Sequence, residues 1–338
     1  VSAGAINAAH LASHHGTFFQ AIQELSELWG NLTVQDVFRT DARSLAMNAL
    51  RWLRQLSSGG SASPKLVRGL VDTEPLRDYL TEVLHCVDGE MTGVRHNVDA
   101  GRLKAVAISG TSYSTGRSVT WIQGRDVKLW ERPGRMPRLA TLTVEHIMAS
   151  AALPLFFPAV EVDRAWYGDG GIRLVAPLSP AIHLGARRII AISTRYAASR
   201  TEAEEATVSG YPPPVQVMGV LLNSIFLDLL DHDAVRLDRL NRLIAGLPPE
   251  KRGDLSPIRL LTLRPSSDLG RMAGRFEADL PRSFRFLTRG LGTKQTRSPD
   301  LLSMILFHPD YLRSLIELGE TDAEARAGEI EAFLSAED

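Results

Sequence analysis

The sequence has a single cysteine, Cys86, in 338 residues. One thiol excludes an internal disulfide framework and a thiolate metal site built by this chain alone. It fits a reducing compartment, so a cytoplasmic location is expected, with which a peripheral contact to a membrane is compatible. A surplus of charge of one sign is also lacking, since 38 basic against 39 acidic residues leave a net charge of −1. No strong global field draws nucleic acid, and no nucleic-acid partner is expected. No apolar run approaches the roughly 18 residues of a membrane span. Metal, nucleotide and flavin motifs are missing, so neither a metal nor another cofactor is expected. No internal repeat is visible. The chain opens on Val1-Ser2-Ala3-Gly4-Ala5-Ile6-Asn7-Ala8, without an initiator Met or a polar leader. That opening reads as the interior of a domain, and the expectation is a chain truncated at its amino end.

What is present is an ordinary globular composition, 44% hydrophobic and 23% charged, in a chain long enough to bury a sizeable core. Residues 3–13 are small and compatible with a helix. Phe18, Ile22, Leu25, Leu28 and Trp29 recur at helical spacing. A third helix is expected over 44–56, with Leu45, Ala49, Trp52, Leu53 and Leu56 on one side. It reads as core packing or as a lipid-facing lid. The Gly/Ser stretch 57–63 then reads as a loop. Pro75 stands in the first turn of a helix whose face carries Leu76, Leu80 and Leu84.

Strands are expected over 103–108 and 117–123, a helix over 143–152, and a short hairpin over 159–162 and 165–167. Between the first two strands, Ser109-Gly110-Thr111-Ser112 reads either as a turn or as the border of a site at a strand end. The apolar run 188–193 resembles a buried parallel strand. Helices near 214–230 and 233–246, a strand near 257–263 and a helical tail over 311–334 complete the pass. Strands alternating with helices predict an α/β layered fold. The segment 251–297 carries eleven Lys/Arg against four Asp/Glu, and 317–338 carries eight Asp/Glu against one Arg. These read as solvated surfaces, or the basic one as a face for anionic headgroups.

Val1-Ser2-Ala3-Gly4 matches the last four positions of a G-x-S-x-G nucleophile elbow. At such an elbow a strand turns sharply into a helix, and bulk beside the serine would clash with neighbouring backbone. Ala3, Gly4 and Ala5 meet that demand, and the helix that follows aims its first amides at the serine. A Ser at an ordinary helix start has the same appearance. Gly168-Asp169-Gly170-Gly171 offers a base. Flanking glycines leave its carboxylate unobstructed, and burial would raise its pKa from an ordinary value near 4. An Asp-Gly turn is the alternative.

Several motifs occur in order: Ser2-Ala3-Gly4-Ala5-Ile6-Asn7-Ala8, then Ala149-Ser150-Ala151-Ala152-Leu153-Pro154-Leu155-Phe156-Phe157-Pro158. Asp169-Gly170-Gly171, Pro177-Leu178 and Leu184-Gly185-Ala186 follow. Jointly they resemble the patatin-like phospholipases, and the likeness extends over most of the chain. The resemblance implies one patatin-like domain over 1–338, with a central, mostly parallel sheet flanked by helices and a helical carboxy-terminal extension from about 214. It implies cleavage of fatty-acyl esters of phospholipids or other lipids through a serine–aspartate dyad and an acyl-enzyme. Ser2 maps to the nucleophile and Asp169 to the base, with Ala3, Gly4, Gly168, Gly170 and Gly171 supporting the two loops. The family's first strand and glycine-rich oxyanion loop precede the elbow, and neither is in this sequence. A chain lacking them is expected to be impaired in catalysis.

Two other readings stay open. The fold could serve a catalytically silent lipid-binding protein. A Ser-His-Asp esterase would draw its histidine from His183, His232 or His308, which follow Asp169. None stands in a distinctive loop, and His10, His14 and His15 show no metal spacing. All nine histidines read as surface or core residues. Ser266-Ser267-Asp268 resembles a family segment and receives no role.

Overall fold

A computed structural model describes residues 1–39, 69–199, 210–226, 228–253, 255–281 and 300–336, together with Met47, Leu50, Glu202, Glu204 and Arg285. The expected helix 44–56 and loop 57–63 therefore lie outside the described residues, apart from two helical positions. The chain divides into two compact units, the first chiefly Val1–Leu174 and the second chiefly Val175–Asp279 with Asp310–Asp338.

The first unit begins with α1 (Ala3–Ser13), α2 (Phe18–Asn31) and α3 (Val34–Val37). Ala5, Ile6, Ala9 and Ala12 form the buried face of α1, where small side chains let neighbours approach closely. Thr17 and Gln20 close a capping box that starts α2. The Trp29 indole N–H donates to Asn7 at 2.8 Å, tying α2 to α1. Next come α4 (Glu74–Val83), with a proline in its first turn, and α5 (Thr92–Asp99). α3 and α5 escape the sequence reading because one is a single turn and the other carries no clear apolar stripe.

Five strands build the sheet: β1 (Ala105–Ser112), β2 (Ser118–Gly124), β3 (Arg135–Leu139), β4 (Val160–Val162) and β5 (Ala165–Asp169). Their order is β3-β2-β1-β5-β4. The expectation of a mostly parallel sheet is wrong here. Only β2–β3 is parallel, while β1–β2, β1–β5 and β4–β5 are antiparallel. Short connections dictate this for β1–β2 and β4–β5. Asp163 and Arg164, with φ of 49° and 63°, make the two-residue left-handed turn that joins β4 to β5. The β1–β2 turn closes with the Gly116 N–H donating to the Ser112 carbonyl at 2.8 Å. β3 was not anticipated. It holds Pro137 and stands at the edge of the sheet, where a missing N–H is tolerated.

α6 (Val144–Ser150), buried at every residue but Glu145, packs against this sheet. Its His146 meets the Trp121 ring edge-on at 4.8 Å, and Tyr167 packs on the same indole at 4.9 Å. Burial lowers the His146 pKa to about 4, so the ring is a neutral core group.

In the second unit α7 (Ser179–His183) leads to β6 (Arg188–Ile192). β6 pairs in parallel with β7 (Arg259–Leu263), so parallel pairing does occur in this unit. Ile192 is 81% exposed, unlike a strand covered on both faces. α8 (Pro214–Phe226) and α9 (Leu229–Ala245) precede β7. Leu178, Ile189 and Leu237 form a core cluster. α10 (Leu269–Arg275) is capped by Asp268, whose carboxylate accepts from the Gly270 and Arg271 amides. α11 (Asp300–Ile305) precedes the tail, which is two helices, α12 (Pro309–Ala325) and α13 (Ala327–Ser335).

Candidate active site

Asp169 ends β5 opposite Gly110 of β1. Its N–H donates to the Ala152 carbonyl at 3.0 Å, and its carbonyl accepts from the Thr111 hydroxyl at 2.8 Å. With the main chain held on both sides, the side chain turns inward and is 0% exposed. Oδ1 accepts from the Gly171 N–H at 2.8 Å and so caps the 3-10 turn Gly170–Arg173. The D-G-G motif is thus a strand end running into a capped turn, not a hairpin reversal.

The glycines around it have unequal reasons. A Cβ on Gly170 would fall 2.0 Å from the Ser109 carbonyl oxygen, which is main chain and cannot yield. A Cβ on Gly168 would instead meet the Tyr113 hydroxyl at 2.2 Å, the far end of a half-exposed side chain. Gly171 contributes its amide to the carboxylate.

Ser2 stands immediately before α1 with φ 51° and ψ −138°. A non-glycine residue there stores about 1–3 kcal/mol of strain, as residues at functional turns often do. Its N–H donates to the Ser150 carbonyl at 3.0 Å, and its own carbonyl accepts from the Ala5 N–H at 2.8 Å. Its side chain makes no cap to α1. Among the described residues no acceptor takes the Ala3 or Gly4 amide. The expected clash beside the serine does not hold at Gly4, where an added Cβ would meet nothing within 4 Å. Ala3 and Gly4 are exposed, and the tight packing falls on Ala5 instead.

The structure brings Ser2 and Asp169 together. Burial lifts the Asp169 carboxyl to about 6, and the Gly171 amide and the Ser2 hydroxyl pull the other way. The Ser2 contact is looser than an ordinary hydrogen bond, because Asp169 Oδ2 is buried with no partner of good geometry. Catalytic hydrogen bonds are commonly long before substrate arrives.

Ser150, within the motif that runs from Ala149 to Pro158, is a site residue that the sequence does not announce. Its carbonyl holds the Ser2 N–H, while its hydroxyl donates to the Ser109 carbonyl at 2.7 Å. That carbonyl oxygen is the atom beneath Gly170. One fully buried serine therefore links the two halves of the site. Only tertiary contacts show this, since the partners lie 150 − 2 = 148 and 150 − 109 = 41 positions away. Ser109 and Thr111 belong to β1 and border Asp169 rather than forming a free turn.

His183 and His232 stand in α7 and α9 of the second unit. His10 is buried with a ring nitrogen 3.0 Å from the Ala21 carbonyl, and His14 meets Glu24 at 3.1 Å. Among the described residues no group of His, Cys, Asp and Glu could hold a metal ion, and no helix is long and apolar enough to cross a membrane.

The model of the patatin-like phospholipase family matches residues 1–182, more than half of the chain, and includes both Ser2 and Asp169. The chain belongs to the patatin-like phospholipases. No curated protein matches it. Membership of the patatin-like family carries lipid acyl hydrolysis as the general activity and lipids as the general substrate class.

Proposed function

We propose that this patatin-like chain is a serine acyl hydrolase in which Asp169 activates Ser2. One observation supports this above all: a fully buried carboxyl, raised to about 6, feels the hydroxyl of a serine held in a strained turn. At neutral pH that carboxylate is charged yet basic enough to share a proton with an attacking alcohol.

In the proposed reaction the Asp169 carboxylate takes the Ser2 hydroxyl proton as Oγ attacks the ester carbonyl carbon. The carbonyl π pair moves onto oxygen, and the amides of Ala3 and Gly4 at the start of α1 favour that negative charge. Collapse breaks the bond to the alcohol oxygen, which leaves with the proton from Asp169. Water, deprotonated by Asp169, then attacks the acyl-Ser2 ester and releases the fatty acid, and the proton returns to Oγ. The fatty-acyl esters of phospholipids and other lipids are the proposed substrates.

A panel of acyl esters and phospholipids, assayed with the wild type, Ser2→Ala and Asp169→Asn, tests the reading. Release of fatty acid by the wild type, lost in both variants, is expected. Hydrolysis that is equal in all three proteins refutes it.

A further inference from the structure

We infer that the end of the first unit remote from Ser2 is a docking surface for anionic lipid. α1 is 11 residues, about 16 Å at 1.5 Å per residue, so its carboxy-terminal end is well away from the nucleophile. There α2 opens on Phe18 and Phe19, which are 75% and 76% exposed. Ile22, one turn on, and Leu11 at the end of α1 are also exposed. Single exposed apolar residues are normal, but two adjacent phenylalanines with aliphatic neighbours at a helix start are not.

Cations surround this end. The Arg102 guanidinium donates to the His15 carbonyl at 3.1 Å, and the His15 ring lies 4.9 Å from that of His96 on α5. The Asn97 amide donates to the carbonyls of Ala12 and His14, fastening α5 to the α1–α2 turn. Lys104 and Arg125 are joined by a main-chain hydrogen bond of 3.0 Å, and the Arg125 guanidinium donates to the Asp99 carbonyl. Among the described residues none of Arg102, Lys104 and Arg125 is ion-paired. Glu90 and Glu24 are engaged by Arg95 and His14, while Asp99, Asp126 and Glu27 carry no ion pair among the described residues.

Apolar rings beside unneutralised cations complement an anionic bilayer. The phenylalanines enter the acyl boundary, and the cations meet headgroup phosphates. A purely apolar protein partner would leave the cations unused. The surface adds to the lipid-directed reading above and is tested apart from it.

Co-sedimentation would use the Ser2→Ala protein with vesicles of phosphatidylcholine containing phosphatidylglycerol, and of phosphatidylcholine alone. Binding at least about ten-fold tighter to the anionic vesicles is expected. Phe18→Ser with Phe19→Ser should weaken it by about ten-fold or more. Each of Arg102→Gln, Lys104→Gln and Arg125→Gln should weaken it about five-fold. In a Ser2 background these variants should leave circular dichroism and hydrolysis of a soluble short-chain ester unchanged. Failure to bind, equal binding to both vesicle types, or binding untouched by the substitutions overturns the inference. A dimer in solution abolished by the phenylalanine pair's replacement overturns it in favour of a second copy.

Discussion

Asp169 has its N–H, carbonyl and Oδ1 all engaged at a buried strand end, whereas Ser2 hangs from two backbone hydrogen bonds at an open helix start. Both are followed by small residues, yet the small residues do different things. Gly170 is small because the main chain of Ser109 occupies the space a side chain would need. Gly4 faces open space. A rigid base and a more accessible nucleophile suit a reaction in which the serine must move onto substrate while the proton acceptor stays put.

Substitutions can break this contrast. The largest effect should come from Asp169→Asn, which keeps the shape but removes the basic oxygen. Ester hydrolysis should fall roughly ten-thousand-fold, as for the loss of one member of a hydrolase's catalytic set, with Ser2→Ala equally damaging. Activity near wild type in either variant would dissolve the proposed pairing. Gly170→Ala should cost about 3 kcal/mol or more in denaturant unfolding, because backbone lies 2.0 Å from the new Cβ. Ser150→Ala should cost about 1–3 kcal/mol by leaving the buried Ser109 carbonyl without its donor. If Ser150 couples the two sides, its loss should also lower kcat more than it raises KM. Smallest of all, Gly4→Ala should be neutral or stabilising by about 0.5–1 kcal/mol, since helical φ/ψ suits alanine and nothing obstructs it. A Gly4→Ala protein as unstable as Gly170→Ala would erase the difference between the two sides.

Much of this site could be read along the chain. The α1 start and the β4–β5 hairpin are local patterns, set by small residues, turn residues and alternation within a few positions. Strand direction was not local. The resemblance implied a mostly parallel sheet, but β1 meets β2 through one tight turn and β5 through a pairing across 169 − 110 = 59 positions, both antiparallel. Ser150 was invisible for the same reason, because its importance lies in contacts on either side of it in space. Gly4 and Gly170 look alike as letters, and only the atoms around them separate a helix start from a steric lock.

The pH dependence of Asp169 has a definite sign. A carboxyl whose folded pKa is raised above its ordinary value near 4 binds protons more tightly in the folded state. Its contribution to stability is therefore greatest at low pH and declines as pH rises from about 4 to about 6. Its use as a base follows the opposite course and grows through about 6. The rate of fluorophosphonate labelling, followed against pH at two temperatures, reads this directly. The account predicts labelling at Ser2, a rate that rises with a midpoint near pH 6 at both temperatures, as a carboxyl's small ionisation enthalpy requires, and loss of that rise in Asp169→Asn. Labelling at another residue, or a midpoint that falls on warming as an imidazole's does and survives in Asp169→Asn, would contradict it.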